Sequence, residues 1–137
     1  MSISRINVSS GSEFEATVGY SRAVRTGRQV VVAGTTGAGK GIAAQTRETW
    51  RRIEIALHEA GASLSDVVRT RIFVTDISLW REVGAVHADV FGEIRPVSTM
   101  VEVSALISPE LMAEIEVDAY VEPAADCGAN FPSAPGR

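Results

Sequence analysis

Two carboxylates two residues apart, a tyrosine at the head of a strand, and a glycine-rich run ending in the only lysine are the groups in this sequence best suited to chemistry. Glu114 and Glu116 lie in the alternating run EIEVDAYV, so both leave the same face of a strand. Such a pair can orient a water and move its proton, or can simply be solvated. Tyr20 could offer its hydroxyl to a cleft or pack at the strand start. Arg22, Arg69 and Arg71 sit on strands, where they could reach a cleft or pair with surface acids. His58 falls near a helix end, where a cation suits the macrodipole, and His87 flanks an apolar stripe as a packing residue. Neither histidine has a Cys or His at ligand spacing, so no metal site is expected. No GxSxG elbow is present. Trp50 and Trp80 are expected to be core or interface anchors, and Glu102 to be structural.

The glycine-rich run needs separate treatment. Gly34 to Lys40 matches GxxxxGK, follows a strand and precedes a helix, which is the setting of a nucleotide-binding loop. Position 41 is Gly, however, where a Mg²⁺-binding Ser or Thr would be needed. The chain also opens with a hairpin and is short for repeated βαβ units. A flexible loop between strand and helix is the expectation, and nucleotide hydrolysis is rejected.

The elements that must position these groups follow from periodicity. Ser9 to Glu13 reads as a loop. Tyr20 to Arg25 and Gln29 to Ala33 read as a hairpin about Thr26-Gly27-Arg28. Trp50, Ile53, Leu57 and Ala60 fall on one helical stripe within residues 44–60, closed by Gly61. Val67 to Thr75 is a strand with Arg69 and Arg71 turned from its apolar face. Leu79, Val83, Val86 and Val90 form a second stripe ending at Gly92, and Thr99–Leu106 and Glu114–Val121 alternate as strands. The order ββ-α-β-α-ββ predicts an α+β domain over residues 1–122, with two helices on one face of a mixed sheet of about six strands. Residues 123–137 read as a disordered or surface-draped tail carrying the single cysteine, Cys127.

Bulk properties narrow the class. Formal net charge is −4, which argues against nucleic-acid or anionic-membrane partners. One cysteine allows no internal disulfide, in keeping with a reducing cytosol. The N-terminus lacks an apolar h-region, and no run approaches the roughly 18 apolar residues of a membrane span. A cytoplasmic protein is expected.

With the strands placed, five blocks resemble the reactive intermediate deaminase family, also called Rid or YjgF. YSRAV at 20–24 is similar to its PYSQAV, and VVVAGT at 30–35 to its VFVSGQ. DVVRTRIFVTD at 66–76, with the following helix, is similar to its middle strand and second helix. PVSTMVEV at 96–103 and EIE at 114–116 resemble PARSCVEV and EIEA. The likeness runs over roughly residues 6–121. It implies a chorismate-mutase-like fold, a homotrimer with clefts between subunits, and hydrolysis of small imines or enamines without a cofactor. In that chemistry an Arg clamps the substrate carboxylate and a Glu orients the attacking water. Carried over by position, Glu114 takes the Glu role, Tyr20 caps the cleft and Gly34 shapes it. The clamping Arg falls on Ser98, followed by Thr99 and Met100. A neutral hydroxyl there implies a substrate other than 2-aminoacrylate, lacking the usual free carboxylate or anchored elsewhere. Arg95, three residues earlier, could supply a cation over the strand end or be a solvated loop residue. A ligand-binding trimer without catalysis is the alternative.

Overall fold

A computed structural model describes residues 5–122; the tail at 123–137, with Cys127, lies outside the described residues. Its elements run β1 (Arg5–Val8), α1 (Glu13–Val18), β2 (Ala23–Thr26), β3 (Gln29–Thr35), α2 (Ile42–Glu59), β4 (Val67–Val74), α3 (Trp80–Phe91), β5 (Val97–Glu102) and β6 (Ala113–Tyr120). Six strands form one sheet in the order β1-β2-β3-β6-β4-β5. All neighbours are antiparallel except β4 and β5, which run parallel with α3 as their crossover.

The β-branched runs build the centre of the sheet because every second side chain must be buried. Val30 and Val32 of β3, Ile72 and Val74 of β4, and Ile115 and Val117 of β6 point to one face and are 0–3% exposed. The α2 stripe (Trp50, Ile53, Leu57) and Val83, Val86 and Phe91 of α3 belong to the same core. Burying Ile53 or Leu57, each fully covered, contributes roughly 1.5–3 kcal/mol. The opposite face is polar and paired: Arg71 meets Glu116 at 3.0 Å and Asp118 at 3.6 Å, and Arg69 meets Asp118 at 3.6 Å.

Four expectations need correction. The domain has a third α-helix, α1, which starts at the end of the Ser9–Glu13 loop where no helix is expected from the sequence. Ser12 caps α1 by accepting from Phe14 N at 3.2 Å, and Gly19 ends it in the left-handed region at φ 88°. The N-terminal hairpin is a three-stranded unit, because β1 pairs with β2, and β2 starts at Ala23 rather than Tyr20. Strand β5 spans 97–102, not 99–106; residues 103–112 form the connection to β6, where Gln45 of α2 donates to Glu110 O and accepts from the Met112 amide. The loop after β3 is not loose. A Cβ on Gly37 would lie 2.7 Å from Gln45 O and Thr49 N, and one on Gly39 2.8 Å from Gln45 N. These glycines let loop backbone pack directly on α2, a packing reason for Gly37 and Gly39 in the glycine-rich run.

Candidate functional site

A cavity of about 1120 Å³ opens where the end of β3, the start of β6, α1 and α2 meet. Three sequence-predicted residues line it together: Tyr20, Gly34 and Glu114. Their meeting has local causes. After Gly19 turns the chain, the Tyr20 amide donates to Glu15 O at 3.0 Å, which fixes where the tyrosine leaves α1. Glu15 is itself held, accepting from the Ser10 amide at 3.0 Å and from the Ser10 hydroxyl. Those bonds, the hydroxyl first, hold its carboxyl below the usual range.

At the end of β3 the pairing with β6 slips by one residue between Val32 and Thr35, a bulge that falls on Ala33 and Gly34. Bulges re-aim side chains and are common beside active sites. Here the slip brings Gly34 under Glu114. A Cβ on Gly34 would collide with Glu114 Oε2 and lie 3.0 Å from its Cδ. The half-buried carboxylate therefore rests on bare backbone beside open space.

Arg22 completes this corner. Its Nη1 donates to Gly34 O at 2.8 Å and to Thr35 Oγ1 at 2.7 Å, and its guanidinium carbon stands 5.6 Å from the Tyr20 ring centroid. Arg52, the other cavity arginine, is committed to Glu48 at 2.9 Å and Thr36 O at 3.0 Å. Apolar side chains form the remaining walls, Phe14 and Val18 from α1, Ile55 from α2, and Leu106, Ile107 and Leu111 from the loop before β6.

The other expected site residues lie elsewhere. Ser98, Thr99 and Met100 are on the edge strand β5 and do not line this cavity. Ser98 Oγ accepts from Thr70 Oγ1 at 2.7 Å, and Thr70 Oγ1 is 3.0 Å from His87 Nε2. His87 packs against Trp50 and Phe91, and burial lowers its pKa from 6.5. Arg95 is exposed, with φ 55°, and donates from Nε to Gly92 O at 3.1 Å, turned back on its own helix end. Glu116 pairs with Arg71 and does not line the cavity. Glu102 accepts from the Ile77 amide, and Trp80 is 46% exposed under Arg81 rather than in the core. Among the described residues, no three His, Cys, Asp or Glu gather as metal ligands, and no helix is long and apolar enough to cross a membrane.

Comparison with known proteins gives a consistent picture. The sequence model of the family described as endoribonuclease L-PSP matches residues 10–121. The crystal structure of Rv2704 from Mycobacterium tuberculosis, of the YjgF/YER057c/UK114 family, superposes with a TM-score of 0.85. It is 74% identical, covering 86% of this chain and 100% of that one. A RutC family protein of Pyrococcus abyssi is 36% identical over 111 residues, 75% of this chain and 87% of that protein. The 3-aminoacrylate deaminase RutC of Acinetobacter baylyi is 38% identical over 79 residues, 58% of this chain and 62% of the enzyme.

Proposed function

The chain belongs to the endoribonuclease L-PSP family, also known as YjgF, Rid or RutC proteins, and from that premise we propose that it hydrolyses an imine or enamine of a small metabolite. The observation that carries this reading is the Glu114 carboxylate, seated on Gly34 at the edge of a cavity that also holds Tyr20. A carboxylate so placed can accept a proton from water as the water adds to the C=N carbon. An enamine first takes a proton at carbon to become the imine. Addition gives a carbinolamine; its nitrogen gains a proton, the C–N bond breaks, and ammonia and a carbonyl compound leave. The 3-aminoacrylate deaminase relative acts on an enamine, which supports this class of substrate.

We place the working site between copies in a homotrimer. Ser98, Thr99 and Met100 do not line the cavity that holds Glu114, so in this reading a second copy brings its β5 to that cavity. The edge strand β5 also exposes Val97 and Val101. Ser98 replaces the family's clamping arginine, which favours a substrate other than 2-aminoacrylate. RNA, suggested by the family's description, suits a chain of net charge −4 poorly.

The test is ammonia release from 2-aminoacrylate, 3-aminoacrylate and bulkier imines generated in place. Glu114→Gln should lower the rate by about 10²–10⁴-fold, the usual worth of a general base. Release no faster than in buffer, with ligands still retained in native mass spectrometry, would favour a binding trimer instead.

A further inference from the structure

We infer that Arg22 is the residue that holds the substrate's anionic group, taking up in this chain the task left open by Ser98. The chemistry of the inference rests on the imine-hydrolysis reading; the anion site rests on geometry of its own.

A guanidinium has five N–H groups, and most of those on Arg22 are unspent. Nη1 uses both of its hydrogens on Gly34 O and Thr35 Oγ1, at 2.8 and 2.7 Å. Nη2 has one long contact, 3.5 Å to the Tyr20 hydroxyl, and Nε has no hydrogen-bond partner among the described residues. Nε–H and one Nη2–H lie along a single edge of the fork, spaced to meet both oxygens of a carboxylate. No Asp or Glu of the described residues comes within ion-pair distance of Arg22, whereas Arg52 in the same cavity is taken by Glu48. The group is half-buried and already fixed on its other edge, so an anion that binds there orders little more of the protein.

Position gives this edge its use. Arg22 and Glu114 both converge on Gly34, one through its carbonyl and the other across its missing side chain. An anion on Arg22 would therefore set the rest of a small molecule beside the carboxylate that handles water. A strut that only ties the segment before β2 to the end of β3 would need Nη1 alone.

The probe is phenylpyruvate, the carbonyl product of the matching 2-imino acid, with its methyl ester as the uncharged partner. The aromatic arm suits walls that include Phe14, Val18 and Ile55. Calorimetric titration of the full chain should show the acid binding wild type at least about tenfold tighter than the ester. Arg22→Gln should remove that preference, and Arg22→Lys, which keeps charge but not the fork, should retain part of it. Arg47→Gln, at an exposed pair with Asp89, should leave it unchanged. Equal binding of acid and ester by wild type, or an Arg22→Gln protein that keeps the preference, overturns the inference. So does a parallel loss of both ligands in a protein that still melts cooperatively. The acid–ester comparison needs no variant, so an unfolded Arg22→Gln protein does not spare the idea. Binding is read without turnover. A selective loss of the acid in a protein that releases no ammonia would leave the anion site standing and the hydrolysis reading refuted.

Discussion

Glu114 occupies the space that a side chain on Gly34 would need. Its Cγ and Cδ stand 3.3 and 3.0 Å from where that Cβ would be, and Oε2 is closer still. Gly34 is not among the residues with positive φ, so its backbone admits alanine. What must move is the far end of a flexible side chain. Gly34→Ala should therefore displace the carboxylate while leaving the fold intact. We expect hydrolysis to fall on the order of a hundredfold, the cost of an ångström-scale misplacement, with the melting temperature shifted by no more than about 2 °C. Steady-state rates and thermal melts on one preparation decide it; a large stability loss, or full activity, would contradict this geometry.

Glycine to alanine has a different sign at other positions. At Gly37 the new methyl would meet Gln45 O and Thr49 N at 2.7 Å, atoms of the α2 backbone that cannot swing aside. Overpacking of this kind costs about 1–3 kcal/mol. At Gly84, inside α3, the nearest atom is Trp80 Cε3 at 4.0 Å. There alanine should stabilise by about 0.5–1 kcal/mol through helix propensity. Urea melts should move the midpoint down for the first variant and up for the second. A neutral Gly37→Ala would mean that the loop is as loose as its composition suggests.

What could be read beforehand divides along physical lines. Strands β3, β4 and β6 and helices α2 and α3 are long enough to show their period, and their core residues follow from it. Helix α1 has six residues, too few for a stripe. Ser12, Glu15 and Gly19 nevertheless carry start and stop signals that mark it, and with it come Phe14 and Val18 as cavity walls. The meeting of Tyr20, Gly34 and Glu114 is visible only through the family likeness, because periodicity is silent on which strands become neighbours. The bulge at Ala33–Gly34 leaves no mark in composition, yet it sets the height of Gly34 under Glu114. Arg22 looks like any strand arginine until its bonds to Gly34 O and Thr35 show which edge of the fork is in use.

His87 should make stability depend on pH above the carboxylate range. Burial among Trp50, Phe91 and Thr70 lowers its pKa from 6.5. Between that folded value and 6.5 the unfolded chain binds the proton more readily, so stability rises with pH across this window. The contribution is complete above 6.5 and is lost as pH falls through the folded value. His87→Gln should flatten the slope of melting temperature between about pH 5 and 7. Glu15 and Asp76, both lowered by serine hydrogen bonds, act in a separate window. Their contribution is present above 4.5 and 3.8, their ordinary values, and fades as pH drops further. An unchanged slope in His87→Gln would assign the pH dependence to other groups.

The outer face of β5 offers a test of assembly apart from the cavity residues. Val101 stands opposite Phe73 in the β4–β5 register and is 41% exposed, and Val97 is 59% exposed, opposite Arg69. Two valines in the open on an edge strand are a natural surface for a second copy. A lysine at 101 would stay solvated in a lone chain but would be buried without a partner in an assembly, at a cost of several kcal/mol. If the chain forms the proposed trimer, Val101→Lys should thus shift light scattering from trimer to monomer while the circular dichroism spectrum stays native; a wild-type chain that scatters as a monomer would refute the trimer itself. If the site is shared between copies, hydrolysis should fall with the trimer fraction as the protein is diluted. A Val101→Lys protein that remains trimeric would move the interface off this strand, and a fully active monomer would place every working group within one chain.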